Sequence, residues 1–510
     1  MIEIITKPYH MAQKFVDGIG MYRIVSGSLG VLAFISILFG SFGLIAYSPL
    51  SQLFSLALAL LVALVVNAGL AWLLKIPANH ESAVITALIL FFLTIPEENV
   101  LAAWPIVTAV TIGIVSKYVL AYKKQHILNP AAFGAVALSA TGLYTFGWWV
   151  ANPVLFLPLL ICGVLVVMKV RKWLPVMAFV AVSLVIYLAE SVSYGTAFSD
   201  SLQTFFLSWP TLFLAFYMLT EPFSMPSTKG PQFLYGGLVG FLSNTTLFSP
   251  LISFTPELAL VVANAVMWPA RLRQKLYLAL EEKRLIAKDT YEFIFKKPKG
   301  FSFKSGQYLE WTLPHNKSDN KGVRRYFTIA SSPTEDKIRV AMKIVGEASS
   351  YKEAIKQLDL AHPLIASQLA GDFLLPRDVN EKVAFVAGGI GVTPFRSHVK
   401  FMLDSDKSHD TVLYYCVNTA DELAYRELWT EVEQKLTFSF VPVVAKEEVS
   451  APYEKGYVTA EMIKRRTPDY LERTWYISGP PGMVSVYKKL LVEIGVPRTK
   501  IETDFFPGAV

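Results

Sequence analysis

AFVAGGIGVTPFRS, residues 384–397, joins an apolar run to a cluster of glycines and then to the start of a helix. Val383–Ala387 is unbroken in its apolarity and has the length of a buried strand. Gly388, Gly389 and Gly391 let backbone amides approach an anion at a helix N-terminus. Thr393 lies in the same turn, and Pro394 suits the first turn of the helix. Strand, glycine turn and helix are the repeating unit of an open parallel sheet. The stretch is not the GxGxxG fingerprint, and a plain strand-to-helix turn uses glycines too, so pyrophosphate binding and simple turn geometry both stay open at this point.

Working outward, strands and helices alternate from Gly371 to the C-terminus, which predicts an α/β parallel-sheet nucleotide domain over 380–510. Before it, from about Leu276, charge density rises and short strands with Gly and Pro turns follow one another. FKSGQYLEW (303–311), RRYFTIASSP (324–333) and KIVGEASS (343–350) lie in this part. The pattern predicts a small antiparallel β-barrel over 274–378.

The first half has a different character. The chain of 510 residues is 53% hydrophobic and 17% charged, with a mean hydropathy of +0.43. That balance points to a membrane protein carrying a soluble part. Apolar stretches recur near 22–47, 52–75, 82–96, 99–121, 131–150, 153–169, 173–190, 203–220, 232–248 and 251–268, predicting an α-helical membrane bundle of about ten spans over 22–270. The third is short enough for a broken or re-entrant segment. Residues 1–21 form an N-terminal segment, and MIEIITKPYHMAQKFVDGIGMYR (1–23) is too mixed and polar to read as a cleavable signal.

Loop charge orients the bundle. Lys7, Lys14 and Arg23, Lys75, Lys117 with Lys123 and Lys124, Lys169 with Arg171 and Lys172, Lys229, and Arg271 with Arg273 and Lys275 all fall on one side. The other loops, AYSPLS, PEEN, NP and AESVSYGTAFSDS, contain no Lys or Arg. The positive-inside rule makes the basic side cytoplasmic, with both termini. The sequence therefore predicts a multi-pass protein of the cytoplasmic (inner) membrane, in contact with lipid, with its C-terminal domains in the cytoplasm. The net charge of +7 follows from these loops, and no groove-reading motif argues for nucleic acid.

HESAVITALILFFLTIP (80–96), KKQHILNPAAFGAVALSATG (123–142) and FYMLTEPFSMPSTKGPQFLYGGLVG (216–240) place polar residues at or beside apolar spans. Asn129 and Glu221 are candidates for a site at membrane depth; capping of helices at the interface is the plain alternative. Through Asn129-Pro130-Ala131-Ala132-Phe133-Gly134, Thr220-Glu221-Pro222 and Thr228-Lys229-Gly230, residues 80–248 resemble the NqrB/RnfD family, the flavin-carrying membrane subunits of the sodium-pumping NADH:quinone reductase and the Rnf complex. That family commonly attaches FMN to a threonine of a Ser-Gly-Ala-Thr type sequence. The corresponding loop here, ESVSYGTAFSDSLQT (190–204), has Thr196 and Thr204 outside that context. The resemblance therefore implies a non-covalent flavin, FMN or riboflavin, or none.

In the C-terminal half SGQY, RYFTIAS, GEASS, GGIGVTP and SGPPGM (478–483) occur in the order of the ferredoxin–NADP reductase family, which 276–510 resembles. The resemblance implies an FAD-binding barrel and an NAD(P)H-binding domain. On it, Arg325, Tyr326, Phe327 and Thr328 match the flavin motif, with Arg325 pairing a phosphate and Thr328 reaching the reactive ring edge. Gly346, Ser349 and Ser350 match a second phosphate contact. Ser478, Gly479 and Pro480 match the motif beside the nicotinamide, where many relatives have Cys in place of Ser478. The ending ETDFFPGAV (502–510) resembles the family's, which makes Phe505 and Phe506 candidates for an aromatic near the flavin, with plain core packing the equal alternative. The loop VNTADELAYREL (417–428) carries little positive charge apart from Arg426, which favours NADH over NADPH.

Two cysteines, Cys162 and Cys416, cannot build a Cys₄ iron–sulfur cluster within one chain. His80 and His126 are unpaired, which excludes stacked bis-His haems. The sequence thus predicts a membrane-bound, NAD(P)H-dependent flavin oxidoreductase. Electrons pass from NAD(P)H through FAD, with Thr328 and Ser478 at the reacting groups, to a second centre and an acceptor in or across the membrane domain. A quinone bound between helices, an extracytoplasmic acceptor, and a redox-regulated ion transporter using Glu81 and Glu221 are the alternatives.

Overall fold

A computed structural model describes residues 11–13, 15–76, 78–122, 125–244, 254–270, 275–316, 318–346, 349–360, 363–405 and 407–505. The chain divides into two compact units between Gln274 and Lys275.

The first unit is helical. Its helices are α1 (Met21–Ser41), α2 (Pro49–Leu73), α3 (His80–Leu93), α4 (Trp104–Val119), α5 (Pro130–Ser139), α6 (Phe156–Val170), α7 (Trp173–Ser193), α8 (Phe198–Leu207), α9 (Lys229–Leu242) and α10 (Pro256–Val266). A two-residue hairpin, β1 (Ala121–Tyr122) with β2 (Gln125–His126), separates α4 from α5. Four helical segments are long and apolar enough to cross a membrane: Met21–Ser41, Pro49–Leu73, Pro153–Val170 and Trp173–Ser193.

The remaining apolar stretches are shorter helices. The stretch at 131–150 stops at Ser139, and Gly142 turns the chain at φ 73°. The stretch at 203–220 is interrupted at Ser208–Pro210 and resumes in a short helical piece, Thr211–Phe213, that widens into a π turn over Leu214–Met218. Helix α3 has 14 residues, about 21 Å at 1.5 Å per residue, too short for a 30 Å hydrocarbon core. Its residues from Thr86 onward are buried; a helix apolar all round belongs inside a bundle.

Close helix contacts rest on small residues, as membrane packing favours. A Cβ at Gly236 of α9 would run into the Pro175 carbonyl of α7 and lie 3.0 Å from its Cα. One at Gly240 would lie 2.7 Å from the Phe179 oxygen.

The second unit contains two sheets. Strands β3 (Leu276–Ala287), β4 (Thr290–Lys296), β5 (Tyr308–Thr312), β6 (Arg324–Thr328), β7 (Lys337–Lys343) and β8 (Pro363–Ala370) pair antiparallel in the order β6-β5-β8-β3-β4-β7. The Ala330 amide donates to Arg339 O at 2.8 Å, which brings the two edges together beyond β6 and β7. Trp311, Phe293, Phe295, Leu309 and Tyr351 fill the interior. Tyr351 comes from helix α11 (Ser350–Lys356).

The other sheet is parallel throughout, in the order β12-β11-β10-β9-β13-β14. Its strands are β9 (Val383–Gly388), β10 (Thr411–Val417), β11 (Phe438–Val444), β12 (Glu454–Lys455), β13 (Thr474–Gly479) and β14 (Ile501–Phe505). Helices α12 (Thr393–Ser405), α13 (Arg426–Lys435), α14 (Ala460–Arg466) and α15 (Pro481–Glu493) connect them. The chain runs outward from β9 to β12, then returns to lay β13 on the other flank of β9. The strand order therefore reverses between β9 and β13, and such a reversal opens a ligand crevice at the carboxyl ends of the strands.

Candidate functional site

The crevice is walled by the two sequence motifs that end these strands. Ser478 pairs with Ala387 across β13 and β9, so GGIGVTP and SGPPGM emerge side by side. The backbones are almost in contact: a Cβ at Gly391 would collide with the Ser478 carbonyl and come within 2.7 Å of Gly479 Cα. Gly388 is equally confined, against Met483 Sδ. Gly389, at φ 51°, has nothing within 4 Å of where a Cβ would stand. Thr393 begins α12 and bonds Ile390 O through its hydroxyl at 3.2 Å. Pro480 is the N-cap residue of α15. Ser478 is wholly buried, and its hydroxyl finds no partner among the described residues. A buried hydroxyl without a partner is costly unless something supplies one.

A second such hydroxyl is that of Thr328, 3% exposed and unpartnered among the described residues. It closes β6, opposite Tyr308 of β5. Alternation along β6 divides the sequence-predicted flavin residues between two faces. Arg325 and Phe327 point with Leu309 and Trp311 toward Tyr351, with ring contacts of 5.2 and 5.9 Å. Tyr326 and Thr328 occupy the other face. Tyr326, 43% exposed, donates its hydroxyl to Glu310 at 2.9 Å and meets Tyr308 edge-on.

Arg325 is engaged by protein groups. Its Nη2 donates to both oxygens of Asp319, at 3.0 and 3.1 Å, and its Nη1 to the carbonyls of Lys321, Gly322 and Arg324. Burial raises the Asp319 carboxyl, but the charge and hydrogen bonds of Arg325 more than reverse this and hold it below the usual carboxylate range. Ser350 joins the same cluster: its Oγ accepts from the Asp319 amide at 3.0 Å and shares a hydrogen bond with His315 Nε2 at 2.9 Å. Ser349 caps α11 by accepting from Lys352 N. Gly346 turns at φ 51°.

Burial, then the charges of Lys321 and Arg325, push the Lys352 ammonium below its ordinary range. Lys321, Arg325 and Lys352 thus lie close enough for their charges to oppose one another, an arrangement suited to an anionic phosphate. His315, Asp319 and Lys321 were not signalled by the sequence, because the loop that carries them has no motif of its own; Lys352, in α11, lies just beyond the GEASS stretch.

Arg426, the one basic group in the loop after β10, donates to the Ala420 carbonyl. Asp421 pairs with Lys288 and Glu422 with Lys343, while the Ala420 amide donates to Glu447. The loop is therefore lined by carboxylates, which suit a ribose hydroxyl better than a 2′-phosphate. Cys416 is half-buried, and desolvation pushes its thiol up to about 12, so it is a packing residue and no nucleophile. Phe505 pairs through its backbone with Gly479; Phe506 lies outside the described residues.

In the helical unit Asn129 and Glu221 line one cavity of about 60 Å³, together with Tyr22, Thr86, Tyr217 and Phe223. Asn129 caps α5 by accepting from the Ala132 amide and donates its side-chain amide to Met218 O at 3.1 Å; its own N–H donates to Asn264 Oδ1 at 2.8 Å. Glu221 Oε1 is 2.7 Å from His126 Nε2. Both the capping role and the cavity placement hold for Asn129. His126, the partner of Glu221, was legible in the sequence only as an unpaired histidine. Glu81 lies apart from this wall, 3.9 Å from Arg23. Among the described residues no group of three or more His, Cys, Asp or Glu is placed to hold a metal ion.

Residues 385–489 match the oxidoreductase NAD-binding domain family. The chain is 24% identical over 222 residues to the glycine betaine monooxygenase reductase subunit of Chromohalobacter salexigens, which covers 42% of this chain and 60% of that protein. It is 29% identical over 229 residues to the corresponding subunit of Pseudomonas aeruginosa, again 42% of this chain and 60% of that one. The chain thus spans about 60% of the length of these curated relatives. The solved flavohem-like FAD/NAD-binding domain of nitric oxide dioxygenase from Vibrio cholerae aligns with 45% of this chain and 98% of that chain, at 18% identity and a TM-score of 0.41.

Proposed function

We propose that this chain is a membrane-bound NAD(P)H-dependent flavin oxidoreductase that takes electrons from NADH at the crevice between β9 and β13. The carrying observation is the pair of buried, unpartnered hydroxyls of Thr328 and Ser478, one at the end of the flavin strand and one at the nucleotide crevice. The match to an NAD-binding oxidoreductase domain over residues 385–489 supports the same reading. FAD, when bound, supplies the redox chemistry, accepting a hydride (two electrons with one proton) and leaving NAD⁺. The chain's own residues do the rest. Gly388–Gly391 admit the pyridine nucleotide's phosphates, Ser478 hydrogen-bonds near the nicotinamide, and Thr328 hydrogen-bonds the flavin ring. Arg325 with Lys321 and Lys352 holds the flavin phosphates.

The first unit, read as the multi-pass cytoplasmic-membrane domain with an NqrB/RnfD-like arrangement of about ten spans, is the outlet. Its acceptor is a second, non-covalent flavin or a carrier beyond it. The cavity between Asn129 and Glu221 favours a second reading, in which a quinone is reduced there without outward electron transfer. Purified full-length protein analysed for flavin and mixed anaerobically with NADH tests the proposal. Bound FAD that is reduced by NADH supports it; protein that binds no flavin after reconstitution sinks it. Flavin of the first unit, read separately after acid release, distinguishes the two outlets: two flavins per chain favour the first, and one favours the quinone.

A further inference from the structure

Helix α12 begins in the glycine turn and presents three consecutive buried side chains, Arg396, Ser397 and His398, to the barrel. Arg396 Nη1 donates to Ala330 O at 3.0 Å, and its guanidinium grips both oxygens of Glu335, Nη2 to Oε1 at 2.9 Å. Ser397 Oγ donates to Ser331 O at 2.6 Å. His398 Nδ1 shares a 3.0 Å hydrogen bond with Ser305 Oγ.

Three of the four barrel positions, Ala330, Ser331 and Ser305, belong to one end of one strand pair. Ala330 and Ser331 follow Thr328, Ser305 precedes its pairing partner Tyr308, and the Ile329 amide ties the two segments through Gln307 O at 2.9 Å. Further groups brace the clamp. Arg339 bonds Glu335 at 3.0 Å and Glu292 at 2.8 Å. The Tyr425 hydroxyl donates to Glu292 at 3.0 Å while its ring lies 5.6 Å from the Arg396 guanidinium.

This is a costly way merely to glue two lobes together. A buried ion pair gives up much of its Coulomb energy to desolvation, and apolar packing of equal volume holds as well or better. Directional bonds from three successive residues instead fix registry. They tie the backbone just beyond Thr328 to the helix whose first turn is the nucleotide crevice.

We propose that Arg396, Ser397 and His398 are positioning residues, a clamp that sets the Thr328 end of the flavin strand against the Gly388–Gly391 turn and thereby the alignment of hydride donor and acceptor. The inference rests on the reading above. The clamp residues exchange neither protons nor electrons; they act through backbone position. A misplacement of about 1 Å can cost about a hundredfold in rate, so loss of one clamp bond shows in the chemical step before it shows in binding.

The test compares full-length wild type with Ser397→Ala and Arg396→Lys, both mild enough to keep the fold. Three quantities are measured: FAD and NADH affinity, anaerobic single-turnover flavin reduction with NADH and 4-deuterated NADH, and amide hydrogen exchange over residues 329–332 in flavin-stripped protein. Both variants are expected to bind FAD and NADH as wild type does. They reduce flavin about tenfold to a hundredfold more slowly, with a larger isotope effect and faster exchange at 329–332. A Ser397→Ala protein with wild-type rate and isotope effect overturns the clamp, and so does a slowdown matched by lost FAD or NADH. Failure of wild-type flavin to accept electrons from NADH overturns the underlying reading instead.

Discussion

Arg325→Ala should weaken FAD binding. The wild-type guanidinium makes two bonds to Asp319 and three to the carbonyls of Lys321, Gly322 and Arg324, so its fork is already aimed at the loop where Ser350 and Lys352 gather. A charge-assisted hydrogen bond contributes about 1.5–3 kcal/mol, which corresponds to about a tenfold to 150-fold loss of FAD affinity for one phosphate contact. Asp319 competes with the phosphate for the same donors, so Asp319→Asn should leave affinity unchanged or raise it. Arg325→Lys keeps the charge but lacks the fork and should fall between. The assay is fluorescence titration of FAD into stripped, full-length protein, alongside a thermal melt without FAD to separate binding from folding. An Arg325→Ala protein that binds FAD as wild type does, with an unchanged melt, would refute the assignment of the barrel's phosphate site.

Burial, reinforced by the charge of His409 and only partly opposed by a backbone bond to Phe373, pushes His398 down to about 3. The unfolded chain binds a proton there from about pH 6.5 downward and the folded chain does not. Stability should therefore fall by ~1.4 kcal/mol per pH unit between about 6.5 and 3. Melts at stepped pH check this, and His398→Asn should flatten the slope. Gly391→Ala, which forces a Cβ onto the Ser478 carbonyl, should wedge the crevice and abolish NADH binding in an equilibrium titration while FAD stays bound. Gly236→Ala overpacks α9 on Pro175 of α7 and should destabilise the helical unit by about 1–3 kcal/mol, read as a lower melting temperature in detergent. NADPH should bind at least about tenfold more weakly than NADH, the cost of one misplaced charged group, because Arg426 is tied to Ala420 O and the loop is lined by Asp421, Glu422 and Glu447. Paired titrations decide it.

The parallel sheet was legible because β9 is a continuous apolar run ended by a glycine motif and strands alternate with helices after Gly371, a local pattern that needs no tertiary knowledge. The reversal of strand order between β9 and β13 was not, since pairing is long-range. Arg325 and Thr328 could be read from adjacent residues, but their division between two faces of β6 follows from strand alternation and from which face the barrel fills. Asp319 stayed hidden in a loop, and Lys352 in a short helix, whose compositions are ordinary. In the helical half, hydropathy located the apolar stretches but overstated their length at 131–150 and 203–220, where Gly142 and Ser208–Pro210 end the helices. Window hydropathy does not register such breaks. The Asn129 cap was readable from Asn-Pro, whereas the Glu221–His126 pair, 95 residues apart in sequence, was not. Arg396, Ser397 and His398 lay inside or beside the opening motif and read there only as the start of a helix.

Electron transfer through the helical unit is the central claim, and sealed vesicles test it most directly. The full chain is reconstituted with the reductase unit outward and an impermeant one-electron oxidant trapped inside. NADH added outside is predicted to reduce the trapped oxidant, at a rate that Arg325→Ala suppresses and FAD restores in part. NADH oxidation that proceeds only with added quinone and leaves the trapped oxidant untouched would contradict the account.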